Sequence, residues 1–549
     1  FRRVLFRSVA SGRIGLPQGS AWDWAETLIG DDFALTADVD LSAAARGVTG
    51  GLQVRPDVRV TGGAMRLAAV ARPEGTDRVL EVRVGSRDVE VLQGSRTLRW
   101  GEPFVAWLRG RRGAGRRERM RLEEARITTS ALEVTASGTS DSSEIRWTAD
   151  LGRLLADAGE VLDLGGIGLA GSTRGRAVVE RVPATGAVTA VLDGGLSGFR
   201  ASVPGLPEWD DDEVAIGARA AGTLSPGSLV IDDGRFDYAA AGDRLEVTVG
   251  GGAVVDPSAL FVGGWIRAPA GVTAGVVLEG DVARWQARFC RLPGAAALAA
   301  MRCGGSVRAS AALEGAGERW RVTRAAAEVD ALALDEGRFV EPRVVATAAG
   351  SIDAAGGGLE VSSAEVLSAS MSVRTGGLAL LPGGAAPAST SLERLRGRVQ
   401  WQVDVGRLEP WFAGAEVAAR WPAAGRAWGT AEIQDTPAGV NVLLDATGSQ
   451  LSLSRAEPAA GEPAGRTVWE EPRARFSCEV TRGPVGDTLS IDRVALESST
   501  VALAAAGTIH DGSTVPRVEL GGTVSYDWTL LSRLASPWTG GRIDLAGGA

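Results

Sequence analysis

The sequence predicts a mostly β protein, an elongated antiparallel sheet built from repeats, and three observations support this prediction. Short segments alternate apolar and polar residues with period 2, which places the apolar side chains on one face of a strand. Glycine-containing pairs that favour turns separate these segments. The alternating segments also resemble one another at a regular interval along the 549-residue chain.

The alternation is clearest in five segments, and each is predicted to be a strand. They are 80–84, 132–136, 245–249, 371–375 and 501–505. Turns are predicted at Gly62-Gly63, Asp233-Gly234, Glu336-Gly337 and 356–358. This spacing of strands and turns is typical of a sheet with one apolar side.

The strands are copies of one another. Residues 130–139 align without gaps on 499–508, and the motif 147–154 (WTADLGRL) recurs at 401–408 (WQVDVGRL). A looser copy, without the aspartate, begins at Trp528. Equivalent strands start at 132, 245, 371 and 501, which indicates a repeat of about 113 to 130 residues.

This period divides the chain into multi-strand units. The units are expected to form one continuous array, because each would leave open edges unless its neighbour covered them. The predicted units are 9–140, 141–255, 256–380 and 381–510, with 511–549 as the truncated start of a fifth and 1–8 as non-native N-terminal sequence.

Short helices are expected after some strands. Residues 150–162 place leucines near one face, and Asp150 is a suitable N-cap. Similar short pieces are predicted near 294–301 and 528–534. The Asp–Arg pairs Asp150/Arg153 and Asp404/Arg407 are interpreted as local surface ion pairs rather than as a site.

The composition argues against most kinds of catalytic and metal-binding site. There is one histidine, His510, which is expected in a solvated turn, and the three cysteines match no zinc pattern. Cys290 and Cys303 could form a disulfide, and this pairing stays open. The net charge is −9 and all basic residues are arginine, so a nucleic-acid partner is not expected. We predict no enzymatic activity, no cofactor and no metal site.

Two charged segments are candidate sites. The arginine-rich segment 109–119 could meet anionic headgroups, but a solvated loop between strands is favoured. The acidic segment 209–213 could bind a divalent cation, but it lacks the ligand spacing of a calcium loop and is interpreted as an exposed acidic turn.

The chain resembles the AsmA/TamB/YhdP-type proteins of bacterial envelopes. The resemblance rests on strands ending in Ala-x-Gly, on the Trp-x-x-Asp-Leu-x-x-Leu motif at 147–154 and on the small-residue segment 162–175. It implies a long, twisted β-sheet curled into an apolar groove that carries phospholipid or maintains the outer membrane. It also implies a periplasmic location, with an inner-membrane anchor helix that would lie outside this sequence.

A physical argument for a groove stands beside this resemblance. Helices are too few to cover the alternating strands, and aromatic residues make up only 5% of the chain, too few for a thick sandwich core. Small apolar side chains would instead line a trough in which acyl chains are stabilised by about 0.8 kcal/mol per buried methylene.

The predicted lining residues are Leu132, Val134, Leu245, Val247, Met371, Val373, Val501 and Leu503. The expected partners are an acyl lipid, such as phospholipid, and membrane surfaces or envelope proteins at the ends of the array. Two alternatives stay open: a structural or adhesive β-solenoid or sandwich of the envelope, and an enzyme on a β scaffold, which would need paired carboxylates in a cleft.

Overall fold

The computed structural model describes most of the chain. The described residues are 7–11, 29, 32–42, 57–101, 103–113, 120–160, 162, 164, 166–206, 208–225, 228–255, 270–290, 302–317, 319–334, 339–353, 358–380, 395–413, 421–456, 466–483, 488–510 and 517–539. They form two compact units. Unit 1 comprises Phe1–Gly264 and Ala287–Ala299, and unit 2 comprises Trp265–Gln286 and Ala300–Ala549.

Unit 1 contains fourteen described strands and a short helix. The strands are β1 (Arg7–Ser11), β2 (Phe33–Asp40), β3 (Val58–Glu74), β4 (Asp77–Gln93), β5 (Arg96–Trp100), β6 (Phe104–Arg112), β7 (Arg121–Thr129), β8 (Leu132–Thr139), β9 (Ser142–Asp150), β10 (Gly168–Val182), β11 (Ala187–Ser202), β12 (Trp209–Ser225), β13 (Ser228–Ala240) and β14 (Asp243–Val255). Helix α1 (Leu151–Gly159) follows β9 directly. β1 therefore includes Arg7 and Ser8 from the segment predicted to be non-native.

Unit 2 contains thirteen described strands. They are β15 (Thr273–Asp281), β16 (Cys303–Gly315), β17 (Arg319–Leu334), β18 (Phe339–Asp353), β19 (Leu359–Ser368), β20 (Met371–Leu380), β21 (Leu395–Asp404), β22 (Ala423–Thr436), β23 (Gly439–Arg455), β24 (Arg466–Arg482), β25 (Thr488–Glu497), β26 (Val501–His510) and β27 (Arg517–Tyr526). The remaining described helices are α2 (Val282–Phe289), which spans the division between the units, α3 (Val405–Ala413) and α4 (Trp528–Thr539).

Within each unit, the strands pair antiparallel in chain order. β4 is long enough to pair with both β5 and β6 along one edge. Among the described residues, no pairing joins β1 to β14 or β15 to β27. The predicted fold class, mostly β with antiparallel pairing and a few short helices, is confirmed. All five segments with the clearest alternation lie in strands, namely β4, β8, β14, β20 and β26. The division into four units of the array stays a prediction.

Aspartates at the ends of strands begin the helices. Asp150 Oδ1 accepts a hydrogen bond of 2.9 Å from the backbone N–H of Arg153, which makes Asp150 the N-cap of α1 as predicted. Asp281 accepts from the N–H of Arg284 at the start of α2 in the same way. The Asp150–Arg153 contact is therefore a bond to the backbone, which corrects its interpretation as an ion pair.

The same cap recurs in unit 2. Asp404 accepts from the N–H of Arg407 at 3.3 Å, again a backbone bond where the sequence had suggested an ion pair. Asp527 accepts from the N–H of Thr529 at 2.8 Å, immediately before Trp528, so α4 confirms the helix predicted at 528–534. The aspartate that the Trp528 motif seemed to lack therefore stands one residue before it. The helix predicted near 294–301 lies outside the described residues.

Several turn predictions were wrong because the glycines form bulges inside strands. Gly62-Gly63 lies in β3, where the register shifts against β4 and Gly63 has φ of 115°. Asp233-Gly234 lies in β13, beside a register shift against β14. His510 ends β26 and pairs with Arg517 rather than lying in a turn. Residues 336–337 and 356–357 lie outside the described residues.

Buried apolar residues form small clusters near strand ends in unit 1. One cluster joins Phe33, Ala71 and Leu80 of neighbouring strands to Ile29 and Met120. A second cluster joins Val58, Val91 and Leu98. All three cysteines are free, so Cys290 and Cys303 do not form a disulfide here. No helix within the described part of the chain is both long and apolar enough to cross a membrane.

Candidate functional site

The strand registers of unit 2 align apolar residues into a continuous row across the sheet. Residues paired across antiparallel strands lie on the same face, so a chain of such pairs defines a row. One row takes one residue from every strand from β15 to β27. Its members are Leu278, Ala309, Ala327, Ala346, Val366, Val373, Trp401, Gly429, Ala446, Phe476, Leu496, Leu503 and Val524.

A second row lies beside the first on the same face, because its residues are two positions away on every strand. Its members are Val276, Ala311, Ala325, Ala348, Ala364, Thr375, Val399, Ala431, Leu444, Cys478, Val494, Ala505 and Gly522. We call the two rows the apolar face of unit 2. Neither row contains a charged residue, and burial raises the pKa of the Cys478 thiol, which keeps it neutral.

Unit 1 has the same arrangement from β2 to β14, with β5 outside it. One row consists of Ala37, Leu67, Val84, Ala106, Ile127, Val134, Trp147, Gly175, Gly194, Ile216, Tyr238 and Leu245. The second consists of Leu35, Ala69, Val82, Leu108, Ala125, Ala136, Ile145, Ala177, Leu192, Ala218, Phe236 and Val247. We call these rows the apolar face of unit 1.

The predicted lining residues of unit 1 lie on this face. Val134 and Leu245 belong to one row although six strand pairings separate them, and Val247 belongs to the other row. Leu132 lies two residues before Val134, on the same face. All four are half-buried. Their role as lining stays a prediction.

The predicted lining residues of unit 2 are placed in the same way. Val373 and Leu503 share the first row. Met371 and Val501 lie two residues before them on the same strands, and Val501 pairs with Tyr526. The predicted lining residues of each unit therefore all lie on one face of its sheet.

The apolar faces remain accessible. Every residue of the two rows in unit 2 is half-buried or exposed, and Val524 is 55% exposed. In unit 1, Ile127, Ile145 and Phe236 are 39%, 38% and 36% exposed, whereas Ala69 and Tyr238 are buried. Side chains in the core of a sandwich pack to full density and lose nearly all contact with solvent. The described residues of each unit therefore provide no second layer over most of its apolar face.

Tryptophans lie against glycines within both faces. A Cβ at Gly175 would overlap the Trp147 indole, and a Cβ at Gly429 would lie 2.8 Å from Trp401 Cζ2. Gly175 follows Trp147 along the chain at the same distance as Gly429 follows Trp401. Reasoning from the sequence missed both contacts, and this equal spacing is the signal that could have identified them.

The opposite face of each sheet is polar and ion-paired. In unit 1, Glu144 bonds Arg146 of the same strand at 2.6 Å and Arg176 of the neighbouring strand at 2.7 Å. In unit 2, Arg374 pairs with Glu365 at 2.6 Å. These residues alternate along the strands with those of the apolar rows. Each sheet is thus two-sided, with one apolar and one charged surface.

The basic segment 109–119 is not a free basic loop in its described part. Arg109 and Arg111 lie on β6 and both bind Glu123, at 2.7 Å and 2.6 Å. Arg109 also binds Glu81 and Glu74 at 2.9 Å. The favoured interpretation as a solvated loop was wrong for these residues, because acidic partners on neighbouring strands hold them. Residues 114–119 lie outside the described residues.

The acidic segment 209–213 is likewise part of a strand, β12, rather than an exposed turn. Asp211 is buried and receives bonds from Arg288 at 2.8 Å and from the Tyr238 hydroxyl at 3.0 Å. Arg288 also bonds the buried Asp243 at 2.7 Å and lies over the Tyr238 ring. Burial raises the pKa of Tyr238, so its hydroxyl stays protonated. This cluster satisfies its own charges on the apolar side of unit 1, where Tyr238 belongs to one of the two rows.

The accessible apolar rows can contact apolar ligands. Within the described parts of the chain, no group of three His, Cys, Asp or Glu side chains could hold a metal ion. Comparisons of the sequence with protein-family models and with curated proteins find no match in either set.

Proposed function

We propose that this chain is a non-enzymatic lipid-binding and lipid-transfer protein whose apolar faces hold acyl chains. One observation carries the proposal: the two uncharged rows of unit 2 cross every strand from β15 to β27 and remain accessible. Leaving so many apolar side chains in contact with water is unfavourable, so a large accessible apolar surface marks a site of interaction.

The dimensions of the face are consistent with an acyl ligand. Neighbouring strands lie about 4.8 Å apart, so a row across β15 to β27 extends roughly 60 Å along the sheet. The hydrocarbon core of a bilayer is about 30 Å thick for both leaflets together, so this row exceeds the length of a single acyl chain. Each methylene removed from water contributes about 0.8 kcal/mol. A uniform row offers similar stabilisation at many positions, which would allow a lipid to move along it.

The residues of the rows favour a ligand over a second protein layer. Alanine, valine and glycine predominate in both rows of unit 2, with Trp401 and Phe476 as the aromatic members. Such short side chains leave room above the sheet for a flexible chain. If the sheet curls about this face, as we propose, the result is the groove expected from the resemblance to AsmA-like proteins. That resemblance also leads us to propose phospholipid as the cargo and the bacterial envelope as the location, with a role in outer-membrane maintenance.

Photo-crosslinking at adjacent residues of opposite faces tests this proposal. Benzoylphenylalanine is placed singly at Val373 or Leu503 on the apolar face, and at Arg374 or Ala502 on the other face as matched controls. Each protein is irradiated with phosphatidylethanolamine–phosphatidylglycerol vesicles and analysed by mass spectrometry. We expect phospholipid adducts at 373 and 503 at least tenfold above those at 374 and 502.

Two outcomes would contradict the proposal. Equal labelling on both faces would mean that lipid does not select the apolar rows. An absence of adducts at all four positions in folded protein, with crosslinks to protein at 373 and 503, would instead favour a structural or adhesive repeat protein in which another polypeptide covers the face.

A further inference from the structure

A hollow on the polar face of unit 2 is lined mainly by polar and charged residues, which have no part in the proposed binding of lipid. It lies over the middle of β20 to β24 and has a volume of about 540 Å³. Small-molecule sites commonly measure about 300–1,000 Å³. The residues that supply side chains on this face alternate with those of the apolar rows, so the hollow and the apolar face lie on opposite sides of the same strands.

An exposed tryptophan lines the hollow. Trp428 is 42% exposed, and its register places it between Gln402 of β21 and Thr447 of β23. No described aromatic ring or cation stacks on its indole. A large aromatic surface exposed among hydrogen-bonding side chains is typical of a stacking platform, since an indole is usually either packed or engaged with a partner.

Charge at the hollow is in excess on the positive side. Arg473 and Arg475 of β24 and Asp445 of β23 line it, and none of their side chains forms an ion pair with another described residue. Arg343 on the same face, by contrast, is paired with Glu328 at 2.8 Å. Arg374 also lines the hollow, but its charge is balanced by Glu365. The two remaining guanidinium groups beside one carboxylate would attract an anion, and the planar guanidinium binds carboxylate or phosphate in bidentate geometry.

We propose that this hollow binds an anionic sugar. The ring of the sugar would stack its C–H face on Trp428, and its carboxylate or phosphate would bind Arg473 and Arg475. Gln402, Thr447 and Asp445 offer the amide, hydroxyl and carboxylate groups that hydrogen-bond sugar hydroxyls. The combination of platform, cation pair and polar rim matches this class of ligand better than a purely apolar one or a free anion.

Calorimetric titration of the full chain tests the proposal with glucuronic acid and glucose 6-phosphate as probes. Glucose and inorganic phosphate serve as ligand controls. We expect binding of at least one anionic sugar to be at least tenfold tighter than that of glucose or phosphate, and the preferred probe identifies the anion as carboxylate or phosphate. Trp428→Ala and Arg475→Gln should each weaken this binding at least tenfold, whereas Trp428→Phe should retain most of it.

Arg308→Gln is the matched control, because Arg308 lies on the same face on β16, away from the hollow, and is exposed. It should bind the probe like the unmodified protein. The proposal would be overturned if neither sugar binds, if inorganic phosphate binds as tightly and Trp428→Ala has no effect, or if Arg308→Gln weakens binding as much as Arg475→Gln. Circular dichroism of each variant confirms that the sheet is retained.

Discussion

Trp147 of β9 lies against Gly175 of β10 so closely that the indole occupies the space of any side chain at position 175. The two residues are register partners, and Gly194 of β11 continues the row on the far side. Glycine is therefore required at position 175 because the Trp147 indole lies so close, and not because of the backbone conformation there. Trp401 and Gly429 repeat this relationship in unit 2.

Gly175→Ala should destabilise the protein by about 1 to 3 kcal/mol, the usual cost of overpacking. The new methyl group must displace the Trp147 ring or the backbone of β10. Urea unfolding followed by circular dichroism measures the change. Gly85→Ala is the control, because the nearest atom to its new methyl group is 3.7 Å away. Since the strain requires the indole, Trp147→Ala should cancel much of the effect of Gly175→Ala, and strictly additive changes would contradict this explanation.

Arg288→Met should destabilise the protein by about 3 to 5 kcal/mol. The substitution keeps an apolar stem but leaves Asp211 and Asp243 buried without their cation. Arg200→Met is the control, because the Arg200–Asp210 pair is exposed and should contribute no more than about 1 kcal/mol. Equal losses for the two variants in urea unfolding would show that burial of the Arg288 cluster does not matter to stability.

Glu123→Gln should reduce stability at neutral pH by about 1 kcal/mol, and the difference should shrink in acid. The hydrogen bond from Arg111 lowers the pKa of Glu123 below its ordinary value of 4.5, and Arg109 contributes in the same direction. A lowered pKa contributes stability that is present above the ordinary value and is lost as the pH falls through the lowered one. Urea unfolding across this range measures the trend.

Glu180→Gln, at an exposed position of β10, is the control for this trend. It should leave both the stability at neutral pH and its acid dependence almost unchanged. A Glu123→Gln defect that stayed constant from neutral to acid pH would mean that the carboxylate charge is not the cause.

Local patterns in the sequence were enough to predict the strands and the face that their apolar residues share. Period-2 alternation is a property of each strand alone, so Leu245 and Val247 could be placed on one face without knowledge of their partners. The Asp150 cap was likewise predictable, because the aspartate and the N–H that it receives are three residues apart. The predictions that held therefore depended on short-range geometry.

Features that depend on distant partners were not predictable in this way. Asp211 was predicted to lie in an exposed acidic turn because its partner Arg288 is 77 residues further along the chain. Arg109 was predicted to lie in a loop because its acidic partners Glu81 and Glu74 are on other strands, 28 and 35 residues away in the sequence. The unbroken rows could be identified only from the register of every pair of neighbouring strands. Bulges such as that at Gly62-Gly63 change this register locally.

A single charge in the apolar row should reduce lipid binding if the row is the path of an acyl chain. Ala327 and Ala326 are adjacent on β17 and identical in size, but Ala327 lies in the row while Ala326 pairs with Ser310 and Thr347 on the other face. Ala327→Asp should lower the amount of phospholipid that copurifies with the protein several-fold, because bringing a carboxylate against hydrocarbon carries a large desolvation cost. Ala326→Asp should leave that amount unchanged. Mass spectrometry of lipid extracts quantifies both, and urea unfolding checks that the variants remain folded. If both folded variants retain lipid equally, the continuity of the row is not what binds it.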